Sequence, residues 1–309
     1  MLSIVDNQKT KEAIKAGLAF RQAYNYSKNY KACLWGLTFL LAAAQLLVVI
    51  ISKYQTKINY IENLDFLPVA ILIVYVLINS FGKDKMKRWH DKGCEIQSLH
   101  DSIALGVTSK TRDLAIPQSE INNLYESRKK KHPDDVNTFA TWWDISLNDI
   151  SFFESRIVCA YVTFFWEVEL RKKYQRFLSL ILIIIMIISL IVISYYNFPL
   201  REALIFIIAP ITPFISLLIE ELYDNNKCID VAEDIKKDSC HDWQNVYDNK
   251  FNEAEINDSF EKLMSRWHVY RLTTLPIFEW LYKLTQKSMN MNMVANTDSL
   301  VEKLKSRSN

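Results

Sequence analysis

The sequence predicts an all-α membrane protein: four transmembrane helices in two hairpins, with a helical cytoplasmic domain built from three chain segments. Three observations carry that prediction. Four long runs lack any charged residue, at 32–52, 66–82, 177–200 and 203–219; cations gather on one side of them; and the chain has only five glycines, none after Gly106. A helix rises about 1.5 Å per residue, so crossing about 30 Å of hydrocarbon takes roughly 17–25 apolar residues, and every run reaches that length. Scarce glycine and proline argue for helices over tight β-turns.

Orientation follows from the cations. Arg21, Lys28 and Lys31 precede the first run; Lys83, Lys85, Lys87 and Arg88 follow the second; Arg171, Lys172, Lys173 and Arg176 precede the third. The short connections hold Lys53 and Lys57 with Glu62 and Asp65, then Arg201 beside Glu202. Lys/Arg excess on short loops marks the cytoplasmic side, so both termini and the middle segment of a multi-pass protein are expected there. Glu220, Glu221 and Asp224 after the fourth run dissent, but acidic residues weigh little in that rule.

The segments read in order as follows. Residues 1–31 form an N-terminal cytoplasmic helix, with Ile14, Leu18, Ala19 and Gln22 near one face of 7–30. Residues 32–82 are the first hairpin. In the cytoplasmic segment 83–176, 83–107 continues the second span. Residues 108–135, with Pro117, Pro133 and the run Arg128-Lys129-Lys130-Lys131, read as a loop. Residues 152–168 are apolar on nearly every face, but their longest uncharged stretch is about ten residues, too short for a bilayer. They read as a buried core helix feeding the third span. Residues 177–219 are the second hairpin, where Pro210 and Pro213 predict a kink near 206–209 that is either static or a hinge. In the C-terminal cytoplasmic segment 220–309, 220–238 continues as helix, 255–289 forms two helices around Pro276, and the polar tail after Asn290 is expected to fray.

Composition narrows the function. A net charge of +2 over 309 residues gives no general pull toward nucleic acid, so no DNA partner is expected. The five cysteines are odd in number and lack a Cys-x-x-Cys pair, so reduced thiols are expected, and Cys240-His241 has no second pair for a metal. No apolar core precedes residue 32, so the first span serves as insertion signal rather than a cleaved leader. The absence of glycine after residue 106 rules out a phosphate loop or dinucleotide fingerprint there, and no cofactor is expected. Histidines 90, 100, 132, 241 and 268 are scattered, no nucleophile elbow occurs, and no enzyme is expected. Spans without Asp, Glu, Lys or Arg lack the groups of a proton relay. Gln45, Asn79, Ser189, Ser194, Thr212 and Ser216 suffice to bond helices together but are too few in one protomer to line a wet pore.

One cluster suits a ligand. Trp142, Trp143, Arg156, Trp166 and Arg171 combine aromatic faces, on which bases stack, with guanidinium groups, which pair with phosphates. The competing reading makes the tryptophans core and Arg171 a cation snorkelling to the interface. The Arg128–Lys131 run is either a solvated loop or a contact for phosphate or lipid headgroups.

At this cluster the chain resembles the SMODS-associated four-transmembrane effectors. The stretch Arg156-Ile-Val-Cys159 … Trp166-Glu-Val-Glu-Leu170-Arg171-Lys-Lys-Tyr174 is similar to that family's signature before the third span. Arg21-x-x-Tyr24-x-x-Ser27-Lys28 resembles its helix before the first span, Trp142-Trp143 its aromatic pair, and Tyr270-Arg271 … Pro276 … Glu279-Trp280-x-Tyr282 its closing segment. Two departures stand out: Ala160-Tyr161-Val162-Thr163 where the family tends to be polar, and Glu167 where it has Asp. The identity of the ligand is therefore not carried over. The resemblance implies a bacterial antiphage effector encoded beside cyclic-oligonucleotide synthases. A cyclic nucleotide second messenger would be sensed at Trp142, Trp143, Arg156, Trp166 and Arg171, with Pro210 and Pro213 as hinge, and a homo-oligomer would permeabilise the lipid bilayer in abortive infection. The alternative is a membrane scaffold or ion channel gated by a protein partner.

Overall fold

The structure is a computed structural model that describes residues 3–54, 67–108 and 116–307, and these are helical with no strand among them. Ser3 caps the short α1 (Ile4–Asn7) by accepting from the Asp6 N–H. Helix α2 (Lys11–Tyr54) then runs 44 residues without a break, joining the N-terminal segment to the first apolar run. Helix α3 (Leu67–Ala104) does the same in reverse and ends at Gly106, whose φ of +65° is left-handed. The charged connection carrying Lys57, Glu62 and Asp65 lies outside the described residues.

Residues 108–135 are not a loop throughout. Pro117, already at φ −59°, opens α4 (Gln118–Lys131), which buries Ile121 and Leu124 against α2. Arg128–Lys131 form its last turn, where cations complement the helix dipole. Arg128 is buried and donates to Asp135 at 2.6 Å, so it is no solvated cation. A short α5 (Asp135–Ala140) and a 3₁₀ turn at Ile145–Asp149 lead to α6 (Phe152–Tyr195), opened by a Ser151/Glu154 capping box.

Helix α6 has two halves. Ile157, Phe164, Val168, Tyr174 and Leu178 are buried, whereas Leu180, Ile183, Ile187 and Ile191 are more than half exposed. Apolar side chains exposed on this scale fit a lipid surround, not water. Among the described residues, α2 and α6 have the length and hydropathy to cross a membrane. The fourth run differs: after the turn at Asn197 (φ 50°) it comprises α7 (Leu200–Ala203), a π-helical turn Leu204–Ile208, and the start of α8 (Ala209–Tyr247). The π turn falls where the kink is expected, near 206–209. Pro210 has no N–H to offer, and the Ala209 N–H reaches back five residues to the Leu204 carbonyl.

An Asn252/Glu255 capping box opens α9 (Glu253–Thr273), and after a break at 274–278 the chain closes with α10 (Glu279–Arg307). The tail after Asn290 does not fray. Leu300, Val301 and Leu304 are buried in the core, Lys305 reaches Asp149 at 2.8 Å, and Arg307 reaches Glu154 at 2.7 Å. Outside the apolar runs, one core gathers Ile4, Leu105, Phe164, Phe260 and Val301, drawing on the beginning, middle and end of the chain. Within the fold, α2 packs along α3 and α6 along α8. Truncating Leu304 to Ala is expected to destabilise the protein by about 2–4 kcal/mol, read from chemical unfolding in detergent. An unchanged midpoint would show the tail to be frayed.

Candidate functional site

A cavity of about 470 Å³ lies inside this helical body. Helix α2 contributes Phe20, Arg21, Tyr24 and Lys28; α3 contributes His90, Gln97, His100 and Asp101; the 138–143 segment contributes Trp142 and Trp143. Helix α6 adds Ala160, Thr163, Trp166, Glu167 and Arg171, α9 adds Trp267, Tyr270 and Arg271, and Pro276, Glu279 and Tyr282 close the wall. Two glycines fix the approach of these elements. The Phe139 ring lies where a Cβ on Gly17 would stand, and the Tyr24 ring does the same at Gly93.

The structure brings Trp142, Trp143, Trp166 and Arg171 onto one cavity and leaves Arg156 out. Ten residues before Trp166 on the same helix is about 15 Å along the axis. There Arg156 is buried and ties three elements together: it donates to the Gly106 carbonyl at 3.1 Å, to Asn257 Oδ1 at 2.5 Å and to Glu261 Oε1 at 2.7 Å, over the Phe260 ring. Its position is that of a core cross-link. In its place the cavity has cations that the ligand cluster did not include: Arg21, Lys28 and Arg271. The only sequence signal for them was their place in the family-like motifs, since Arg271 lies about 250 residues from Arg21 and Lys28.

The charges of the wall are matched. Arg171 donates from Nε to Glu167 at 2.8 Å, Arg271 to Asp101 at 2.6 Å, Lys28 to Glu279 at 2.6 Å, and Arg21 to Asp135 at 3.4 Å. The Tyr270 hydroxyl also donates to Glu167 at 2.9 Å, and Arg21 lies over the Phe139 and Trp142 rings. Burial would raise the Asp101 and Glu279 carboxyls, but Arg271 and Lys28 overcome it and both end lowered. Burial likewise lowers Lys28, and Glu279 offsets only part of that. Burial opposes charge on Arg171, yet Tyr270 and Glu167 raise it overall, so it stays protonated.

The family model of the SMODS-associating 4TM effector domain matches residues 2–300. The chain belongs to this family. No curated protein and no solved structure matches it. Membership makes the chain a membrane protein of a CBASS-type effector family, in a cyclic-oligonucleotide signalling context. In this 4TM effector the motif residues Arg21, Tyr24, Lys28, Trp142, Trp166, Arg171, Tyr270, Arg271 and Tyr282 all reach the cavity, from five parts of the chain. So do Ala160 and Thr163, two of the positions that depart from the family-like polar patch.

One pair in the 4TM effector looks catalytic at first. Cys94 Sγ lies 3.6 Å from His90 Nε2, with the Tyr24 hydroxyl 3.4 Å from the sulfur. Burial pushes the thiol up to about 11 and the imidazole down to about 4, so both are neutral, and Cys94 is fully buried. A thiolate nucleophile needs the opposite shift and an open face. His90 Nε2 is instead 2.8 Å from the Arg271 carbonyl, and of the pair only His90 lines the cavity. Among the described residues no group of three His, Cys, Asp or Glu could hold a metal.

The buried imidazole makes stability depend on pH. Unfolding returns His90 from about 4 to its ordinary 6.5, so the unfolded chain binds the extra proton and stability falls as pH drops through that window. Burial also lowers His268, with the same sign, whereas Asp101 and Glu279 lose their contribution only at lower pH. Between pH 6.5 and 4.5 the loss assigned to His90 is about 2–3 kcal/mol, and His90→Asn is expected to remove it from the unfolding free energy. An equally steep pH profile in His90→Asn would refute the assignment.

Proposed function

We propose that this 4TM effector is a non-enzymatic, membrane-permeabilising protein of antiphage defence, activated by a cyclic oligonucleotide bound in the cavity. One observation carries the reading. The cavity that collects the family-like motif residues is walled by α2, α3 and α6, the helices that continue without a break into apolar runs. Aromatic rings give bases a surface to stack on, and Arg21, Lys28, Arg171 and Arg271 give phosphates their counter-charges. In this reading the helical body is the cytoplasmic domain, assembled from 1–31, 83–176 and 220–309, and the cation distribution supports both termini on the cytoplasmic side of a bacterial inner membrane. Because one set of four such runs has too few polar groups to line a pore, the lesion takes several protomers.

Activation is a competition. Each cation already holds a carboxylate, so a phosphate that takes Arg171 competes with Glu167, and one that takes Arg271 competes with Asp101. The released carboxylates then repel one another and the ligand, and the helices carrying them shift. Moving an equilibrium from 1:99 to 99:1 takes about 5.5 kcal/mol of differential binding, which two to four charge-assisted contacts supply at about 1.5–3 kcal/mol each.

The same matched charge favours a second reading, a membrane channel or scaffold gated by a protein partner, for which the cavity carries no excess positive charge. Dye release from phosphatidylethanolamine/phosphatidylglycerol liposomes holding the full chain decides between them. A panel of cyclic di- and trinucleotides is expected to contain one that triggers release. A panel that triggers none supports the protein-gated reading. Arg171→Ala is expected to weaken the response at least about tenfold and abolish toxicity in cells, with membrane insertion intact. Full toxicity in Arg171→Ala would overturn its role.

A further inference from the structure

Among the described residues, the most deeply buried ion pair stands beside the cavity, at the ends of the apolar runs. Lys31 is one residue before the first run and Glu221 two residues after the fourth, and they are only 2% and 5% exposed. Lys31 Nζ donates to Glu221 Oε1 at 2.5 Å and to the Pro276 carbonyl at 2.7 Å. The Tyr174 hydroxyl, three residues before the third run, donates to the same Glu221 oxygen at 3.0 Å. The Lys31 ammonium also lies over the Tyr174 and Phe278 rings, 5.2 and 5.1 Å from their centroids. Three spans and the 274–278 link therefore meet at one buried charge pair.

Each member of this junction is one step from the cavity. Lys28, one turn before Lys31, lines it and holds Glu279; Arg171, one turn before Tyr174, lines it and bonds Asn225, one turn after Glu221; and Pro276 lines it directly. Asn225 donates back to the Arg171 carbonyl at 3.1 Å, locking α8 to α6 at this level. A buried pair is only marginally favourable while intact, but strongly unfavourable once one partner is lost, because the other charge is left in a dry site.

We propose that Lys31 and Glu221 form the latch that holds the membrane spans closed, and that the cavity releases it through Pro276, Arg171 and Lys28. The leakage part of this inference rests on the permeabilising reading above; the latch itself does not. In the latched state the inner ends of the first, third and fourth spans are fixed together. Opening separates Lys31 from Glu221 and frees α8 above its π turn and its two prolines, Pro210 and Pro213.

The test uses the full chain in phosphatidylethanolamine/phosphatidylglycerol liposomes with no ligand added. Glu221→Gln keeps the side-chain volume and strands the Lys31 charge; it is expected to raise basal dye release at least about tenfold over the unmutated chain. Lys31→Met is expected to act in the same direction. Lys31→Met combined with Glu221→Gln leaves no buried charge, and is expected to return release toward the basal level, which a merely damaged fold would not do. A second readout is the spin-label distance between Cys33 and Tyr223→Cys, both at exposed positions, in a chain with Cys228 and Cys240 replaced by Ser. The distance is expected to lengthen in Glu221→Gln. Lengthening without leakage keeps the latch and refutes the permeabilising reading; an unchanged distance, with or without leakage, overturns the latch.

Discussion

Hydrocarbon offers a peptide group no hydrogen-bond partner, and that constraint organises the rest of the molecule. A chain crossing lipid must satisfy its backbone within each segment, which leaves the helix as the economical solution for apolar runs of about 20 residues. Here the helices do not stop where the apolar residues do. Helices α2, α3 and α6 pass directly into the body that contains the cavity, so a change in their packing at the cavity is transmitted along stiff rods. The exception is the fourth run, whose α-helical ladder is interrupted by a π turn just before Pro210. Apart from the turn at 196–199 that ends the third run, it is the one described place in the apolar runs where the helical ladder departs from the α pattern.

The electrostatics of the body follow from burial. A cation in a dry site needs a carboxylate, and the cavity supplies one to each of Arg21, Lys28, Arg171 and Arg271. The result is a site rich in groups that recognise phosphate, yet balanced in the absence of phosphate. Any anion entering such a site would meet cations already engaged with carboxylates. Three of the four pairs, Arg21–Asp135, Lys28–Glu279 and Arg271–Asp101, join different helices, whereas Arg171–Glu167 lies within α6.

Much of the architecture was legible in the sequence, because length and composition of apolar runs are local properties. So were the long helices on either side of them, which carry few glycines or prolines. Helix α4 was hidden because Pro117, Pro133 and four consecutive cations outweigh Ile121 and Leu124, although a proline before a first turn and cations in a last turn are helix signals. The end of α10 was hidden because Leu300, Val301 and Leu304 sit in a polar segment and their partners lie far back in the chain. Arg156 was grouped with Trp166 and Arg171 because all three share a helix, but sharing a helix does not mean sharing a level along it. The acidic residues after the fourth run looked like dissent from the charge rule. Two of them pair with cations that flank the apolar runs: Glu220 meets Lys83 at 2.7 Å, and Glu221 meets Lys31. Pairings separated by 190 residues leave no local trace.

All of this depends on four helices crossing the bilayer as two pairs, with the cavity on the inner side. Single cysteines at Thr56 and Asn197, in an otherwise cysteine-free chain expressed in bacteria, test it with a thiol reagent that cannot pass the inner membrane. The account predicts that both are labelled in intact cells with a permeable outer membrane. Protection of either position until the inner membrane is opened would contradict it.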